Sequence, residues 1–479
     1  MKNKNLDMSK DEFISVGKKL INWSAHYLEN IESFPVLPNV KPGEIKNKLP
    51  QSPPESAEDF ESIISDLDKI ILPGITHWQH PNFMAYFAST ASGPGILADL
   101  ISSTFNSNGM IWKTSPSLTE LEQTVLIWYR KILGFPENFK GLVYDTASVS
   151  SLHAIAAARE NLNLGIREKG MSSIPKLRLY CSEHAHSSID KACLTLGLGL
   201  DGIKKIPVNE NFEMITEELE KAIQEDKSNG IIPMCVVATI GTTSTTSVDP
   251  VDKISEICQR ENIWLHVDAA YAGVTSMLPE MKKYFSGIEN ADSIVSNPHK
   301  WLFVPIDFSV LFIRKHEVLK KAFSLVPEYL KTNEDSEVEN YMDYGIQLGR
   351  RFRALKLWFV IRYFGVEGLR ERIREHIKIA HQFAEWIDKS ESFERLAPTP
   401  FSTVCFRYKP KHIEDENILN QINEELINEI NNTGKLFLSH TKLNGKFTIR
   451  LVVSGIRQEE RHVKEAFKLI DGISKQINY

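Results

Sequence analysis

From about residue 140 onward the chain alternates short apolar runs with amphipathic ones, and this alternation limits the fold more than any other feature. "KLRLYCSE", "GIKKIPV", "IPMCVVATIG" and "IWLHVDAAYA" have the character of buried strands, while "SSLHAIAAARENL", "MITEELEKAIQED" and "DKISEICQREN" have helical periodicity. Strands separated by helices form a mostly parallel sheet flanked by helices, an α/β fold whose ligands sit at the carboxyl ends of the strands. The 479 residues, 42% hydrophobic and 25% charged, suffice for one large domain and smaller units beside it. Upstream, "DEFISVGKKLINWSAHYLENI" reads as a helix, and six of the 22 prolines fall in residues 34 to 54, predicting an extended arm. Downstream, the helix "REHIKIAHQFAEWI", the strand "STVCFRY", the helix "NILNQINEELINEI" and the strand "KFTIRLVV" predict a small α/β domain. The expected division is an N-terminal arm over 1–88, a large domain over 89–372 and a small domain over 373–479.

A formal net charge of -6 offers no general attraction to phosphate backbones or anionic membranes, which points to a small-molecule substrate and away from nucleic acid. Five cysteines, scattered and without CxxC spacing, argue against a disulfide framework or a zinc site and suggest a reducing cytoplasm. The N-terminus has no apolar targeting segment, and no run approaches the roughly 18 apolar residues of a membrane span. His77 and His80 lack an evident third ligand, so no metal is expected. "GLGLDG", residues 197 to 202, matches a dinucleotide fingerprint, but it follows a helix and precedes a strand, the reverse of what a phosphate at a helix N-terminus needs. A helix-ending turn is the expectation there.

The chemistry begins where strands end. In "WLHVDAAYAG" Asp268 closes an apolar strand and is followed by Ala269 and Ala270, which leave room for something flat. A carboxylate so placed needs a partner, because an unpaired buried charge is costly. Thirty-two positions later (300 − 268), "NPHKW" sets Lys300 among mostly apolar neighbours. Pyridoxal 5'-phosphate wants both residues: a lysine to hold its aldehyde, and a carboxylate to keep its pyridine nitrogen protonated. Lysine suits the task because its amine loses its charge readily when desolvated.

With these motifs the chain resembles the group II pyridoxal-phosphate decarboxylases, and within them aromatic L-amino acid decarboxylase. The resemblance runs from "LPGITHWQHPNFMAYF" through "SPSLTELE", "AHSS", "ATIGTT", "HVDAAYAG" and "NPHKW" to "LGRRFRALKLWFVIRYFGVEGLR". It implies a fold-type I transferase fold, a homodimer with the site shared across its interface, and conversion of an aromatic amino acid to its amine and carbon dioxide. It casts Lys300 as the cofactor lysine, Asp268 as the partner of the pyridine nitrogen, His186 as the residue on the ring and near the substrate carboxylate, and Thr239, Ala270, Asn297 and His299 as further cofactor contacts. Thr146, Ala147 and Ser148, at a helix start in "DTASVSS", are the expected phosphate contacts. Here the sequence departs from the family, with Tyr144, Asp145 and Val149 replacing a glycine-rich lead-in and a glutamate.

For the substrate side chain, the resemblance places Trp78, Tyr86 and Phe87 in an aromatic pocket, with Ser89 replacing a threonine. Met110 and Trp112 would come from the neighbouring subunit, and Gly349 stands where plant relatives carry glycine with indole substrates and serine with phenolic ones. Tyr341 aligns with a loop tyrosine that protonates the substrate carbon, Tyr344 being its rival. Aldehyde synthases of the family often replace that tyrosine by phenylalanine, so such an enzyme is the alternative, as is a decarboxylase acting on a non-aromatic amino acid.

Overall fold

A computed structural model describes residues 7–172, 174–325, 330, 332–335 and 337–477. The large unit is built on seven strands, β1 (Lys140–Tyr144), β2 (Leu177–Ser182), β3 (Ile203–Ile206), β4 (Ile232–Thr239), β5 (Trp264–Asp268), β6 (Ser293–Ser296) and β7 (Ser309–Ile313). Their spatial order is β1-β7-β6-β5-β4-β2-β3. Strands β2 to β6 pair in parallel, as helix-separated strands must, and β7 runs antiparallel to both β6 and β1.

Side chains alternate across this sheet into two cores. Val236 and Ala238 of β4 join Leu265, Val267 and Ile294 on one face, while Cys235 and Val237 join Leu179, Trp264 and Leu311 on the other. Helix α1 (Lys10–Glu29) precedes this unit, starting at Ser9, whose hydroxyl caps the Glu12 N–H. Helices α2 (Gly93–Phe105) and α3 (Pro116–Leu133) follow it, and α4 (Ala147–Asn161) and α5 (Ser188–Thr195) cover the second core. Helices α6 (Thr216–Ser228) and α7 (Val251–Glu261) cover the first core, which α3 also joins. "GLGLDG" forms the turn that ends α5 and leads into β3, with Leu198 N–H returning to the Cys193 carbonyl.

Helix α8 (Ala354–Lys389), kinked at Gly365, runs from the large unit into the second one, so the division expected between 372 and 373 falls inside it. There β8 (Phe393–Arg395), β9 (Thr403–Tyr408), β10 (Ser439–Leu443) and β11 (Lys446–Val452) form an antiparallel sheet in the order β10-β11-β9-β8. Its Val404 and Phe406 pack against α8, α9 (Glu416–Asn432) and α10 (Glu460–Ser474), and Met84 of the N-terminal arm enters the same core. Among the described residues no helix is long and apolar enough to cross a membrane.

Register brings the functional ends level. Thr239 pairs with Asp268 and Asp268 with Val295, so β4, β5 and β6 release their chains along one line. Just beyond, Gly241 has φ +88°, and a Cβ there would lie 2.8 Å from the Ala272 side chain. Gly241→Ala is expected to cost about 1–3 kcal/mol through strain and crowding, read as a lowered thermal midpoint of the cofactor-free protein.

Candidate active site

The strand ends surround a cavity of about 190 Å³. Its lining contains Lys300, Asp268, His186, Thr239, Ala270, Asn297, His299, Thr146, Ala147 and Ser148, together with Phe87. Each arrives through local backbone structure. Asp268 is the last residue of β5, Asn297 N–H bonds the Ala270 carbonyl at 3.1 Å, and Lys300 sits in the short helix Pro298–Trp301 that follows β6.

The Lys300 amine is held in low dielectric 5.4 Å from the centre of the Phe87 ring. Burial lowers its pKa from 10.5, and the Asp268 charge opposes that fall. One Asp268 oxygen accepts the Ala270 N–H at 3.0 Å. Below it His266, held between Ser293 and Ser151, is kept neutral by burial, its pKa lowered to about 4. His186 has its pKa lowered, chiefly by burial. Its Nδ1 accepts the Ser188 amide at 3.1 Å, which assigns the ring proton to Nε2. His299 is fixed in the same way, Nδ1 accepting the Phe308 N–H at 2.9 Å, and burial brings its pKa to about 3. Tyr271 stacks between Phe87, at 3.7 Å, and Trp301, at 4.8 Å.

The other expected residues gather elsewhere. Met110, Trp112, Tyr341 and Gly349 belong to two segments that run together: Met342 N–H bonds the Met110 carbonyl at 3.0 Å, Trp112 N–H the Asn340 side chain at 2.9 Å, and Gly109 N–H the Arg350 carbonyl at 2.9 Å. Tyr341 is buried there, its ring 4.4 Å from the Arg350 guanidinium, and lines a different cavity with Lys140 and Glu339. Gly349 is exposed, and a Cβ on it would meet only Asn108 at 3.9 Å. Trp78 and Tyr86 pack on each other and on Phe83 at the surface, and Ser89 is half-buried outside the Lys300 cavity.

Residues 42–409 match the family model described as the pyridoxal-dependent decarboxylase conserved domain. The chain belongs to this family. It is 40% identical over 473 residues to tyrosine decarboxylase 3 of Petroselinum crispum, covering 96% of this chain and 91% of the relative. It is 39% identical to phenylacetaldehyde synthase of Arabidopsis thaliana, covering 97% and 96%. The crystal structure of Oryza sativa TDC with PLP and tryptamine superposes with a TM-score of 0.94 at 35% identity, covering 99% of each chain. The chain is thus a pyridoxal-phosphate-dependent carboxy-lyase.

The cavity fits that cofactor on its own evidence. The Thr239 hydroxyl and the Asn297 side-chain oxygen are buried there without a protein partner, which is costly unless a ligand supplies one. The first turn of α4 offers free backbone N–H groups to an anion beside Thr146 and Ser148. Sequence reasoning missed the lining residues Ser188, Gly241, Thr243 and Tyr271, although each lies within or beside a motif it used. It also missed Asp249, a buried carboxylate with pKa raised to about 7 that accepts the Thr239 N–H at 2.8 Å; "SVDP" carries no signal for this.

In the cofactor-free protein, labelling of Lys300 by an amine-selective reagent should have its pH midpoint below 10.5. Asp268→Asn should move that midpoint lower still, because the lost carboxylate is what raises it. Peptide mass spectrometry reads both, and an unchanged or raised midpoint in the variant would place Asp268 out of electrostatic reach of the amine.

Proposed function

We propose that this decarboxylase converts an aromatic L-amino acid, among tryptophan, tyrosine, phenylalanine and dihydroxyphenylalanine, to its amine and carbon dioxide. The observation that carries this reading is the cavity lining: a desolvated lysine, a facing carboxylate and stacked aromatic rings, with no cation besides Lys300 to pair with a second substrate carboxylate. The names of the relatives at about 40% identity support the same substrate class.

When bound, pyridoxal phosphate supplies an aldehyde for amines and a sink for the electrons released at Cα. Lys300, whose lowered pKa favours the neutral, nucleophilic amine, would hold the cofactor through its aldehyde. Asp268 would hold the proton on the cofactor's pyridine nitrogen. His186, neutral and oriented by Ser188, presents Nε2–H to the substrate carboxylate. Thr146, Ala147, Ser148, Asn297 and His299, which line the cavity, would receive the phosphate end, and Thr239 and Ala270 would hold the rest of the cofactor.

Decarboxylation leaves Cα in need of a proton, and the donor must come within hydrogen-bond reach. Tyr341 is the assigned donor. Its segment, with Met110, Trp112 and Gly349, lines no part of the Lys300 cavity of its own chain, which fits a homodimer in which each copy completes the other's site. Exposed apolar side chains on α1 (Phe13, Ile14, Ile21) and α2 (Leu97, Leu100, Phe105) supply surface for that contact. A cytoplasmic enzyme agrees with five cysteines that are all free and buried. Tyr344, the rival donor, has its hydroxyl tied to Glu339 at 2.7 Å, while Tyr341 lines a cavity apart from Lys300.

Assayed against the four amino acids, the wild type should give amine without consuming oxygen. Tyr341→Phe should divert product to the aromatic aldehyde, ammonia and hydrogen peroxide, with oxygen consumed as carbon dioxide is released, while Tyr344→Phe still gives amine. If Tyr344→Phe diverts the product and Tyr341→Phe does not, the donor is Tyr344; aldehyde from the wild type would make the chain an aldehyde synthase. Co-expressed Lys300→Ala and Tyr341→Phe chains should regain amine formation, because a hybrid dimer pairs an intact Lys300 with an intact Tyr341 from the other copy. Aldehyde alone from the mixture would place donor and lysine in one chain.

A further inference from the structure

The residues that break the family's glycine-rich lead-in do specific things in this chain. Tyr144 ends β1, two residues before the expected phosphate turn, and its ring stacks on that of His153 from α4 at 4.4 Å, nearly parallel at 8°. Both rings reach the same distant segment. The Tyr144 hydroxyl donates to the Tyr344 carbonyl at 2.5 Å, and His153 Nε2 accepts the Ile346 N–H at 3.1 Å. The other ring nitrogen, Nδ1, donates to the Val149 carbonyl at 2.6 Å, in the first turns of α4. Burial keeps His153 neutral, with its pKa lowered to about 4, so one proton on Nδ1 and one acceptor on Nε2 persist through the neutral range.

Gly345 lies between the two bonds. A Cβ on it would sit 2.8 Å from His153 Nε2 and 3.2 Å from the Tyr144 ring, so the segment presses on the stacked pair with backbone alone. Asp145, the next departure, accepts from the Gln347 side chain at 3.4 Å and caps the Thr146 N–H at 2.9 Å. Arg350, one turn of chain further on, donates to the Val143 carbonyl at 2.8 Å. Residues 143–153 and 344–350 are therefore joined by four hydrogen bonds, one of them on Asp145, which abuts the residues lining the phosphate end of the cavity.

We propose that Tyr144 and His153 are positioning residues that couple the turn Thr146–Ser148 to the segment Tyr344–Gln347, so that cofactor phosphate binding and ordering of that segment favour each other. This rests on the assignment of the phosphate to Thr146–Ser148. The consequence is reciprocal: whatever factor the cofactor contributes to ordering the segment, the fastened segment returns in cofactor affinity. The segment directly follows Tyr341 and precedes Gly349, so a cofactor-loaded chain presents both in a fixed place.

Hydrogen exchange at the Ile346 amide reads the coupling without any turnover. Loading wild-type protein with pyridoxal 5'-phosphate should slow that exchange about fivefold or more, the low end of ordinary coupling. Tyr144→Phe, which removes one hydroxyl and keeps the stack, should abolish most of the difference and weaken cofactor binding by the same factor. Gly345→Ala, acting from the other side, should do likewise, and the double variant should add little to either, as expected of one shared contact. Ser148→Ala should weaken cofactor binding while leaving exchange in the cofactor-free protein at the wild-type rate. Equal exchange with and without cofactor in the wild type, or unchanged cofactor affinity in Tyr144→Phe beside a weakened Ser148→Ala, would overturn the coupling while the phosphate site stands. Full affinity in Ser148→Ala would remove the phosphate assignment and the coupling with it.

Discussion

A lysine amine stripped of water is the constraint around which the molecule is arranged. Desolvation disfavours the charged form of Lys300, and only the Asp268 carboxylate opposes it among the identified influences. Holding the pair requires two strand ends side by side, which the parallel register of β5 and β6 provides. It also requires walls that neither admit water freely nor compete for the amine. The Phe87–Tyr271–Trp301 column supplies one such wall, and Tyr271 is anchored in turn by a 2.6 Å bond to Ser402 beside the small sheet.

The small unit contributes to the site indirectly. Arg450, Cys405 and Thr441 converge on Ser244, the first two on its carbonyl at 2.7 and 3.3 Å and the third on its hydroxyl at 3.2 Å. Gly241 and Thr243, just before it, line the cavity. The antiparallel sheet thus steadies the loop after β4 from outside, while Asp249 holds the strand end from inside through the Thr239 amide. Two independent supports on one loop are what a site with an unpartnered hydroxyl and amide oxygen needs to keep those groups aimed at a ligand.

Expected site residues divide into a set that the fold assembles and a set that it keeps apart. Lys300, Asp268, His186, Asn297 and His299 follow strands of one parallel sheet, so their convergence needs only correct strand order and register. Met110, Tyr341 and Gly349 sit on irregular segments joined by backbone bonds to each other, not to strand ends. They line no part of the Lys300 cavity in this chain, a separation that neither periodicity nor motif spacing encodes.

Much of the architecture was legible because it depends on local patterning. Continuous apolar runs marked the buried strands, amphipathic runs the helices between them, and the backward order of helix and strand disqualified "GLGLDG" as a phosphate loop. The cofactor was legible through "HVDAAYAG" and "NPHKW", since a carboxylate and a lysine at strand ends suit one chemistry. Only the tertiary structure decided that β7 runs against its neighbours, that one kinked helix carries the chain past the expected domain boundary, and that Tyr144 and His153 reach across some 200 positions to bind the chain at Tyr344 and Ile346. It also decided that Asp249 and Arg450, unremarkable in sequence, support the loop beside the cavity. The physical reason is that hydrogen-bond partners and ring stacks between distant segments arise from packing, and packing leaves no period in the sequence from which it could be read.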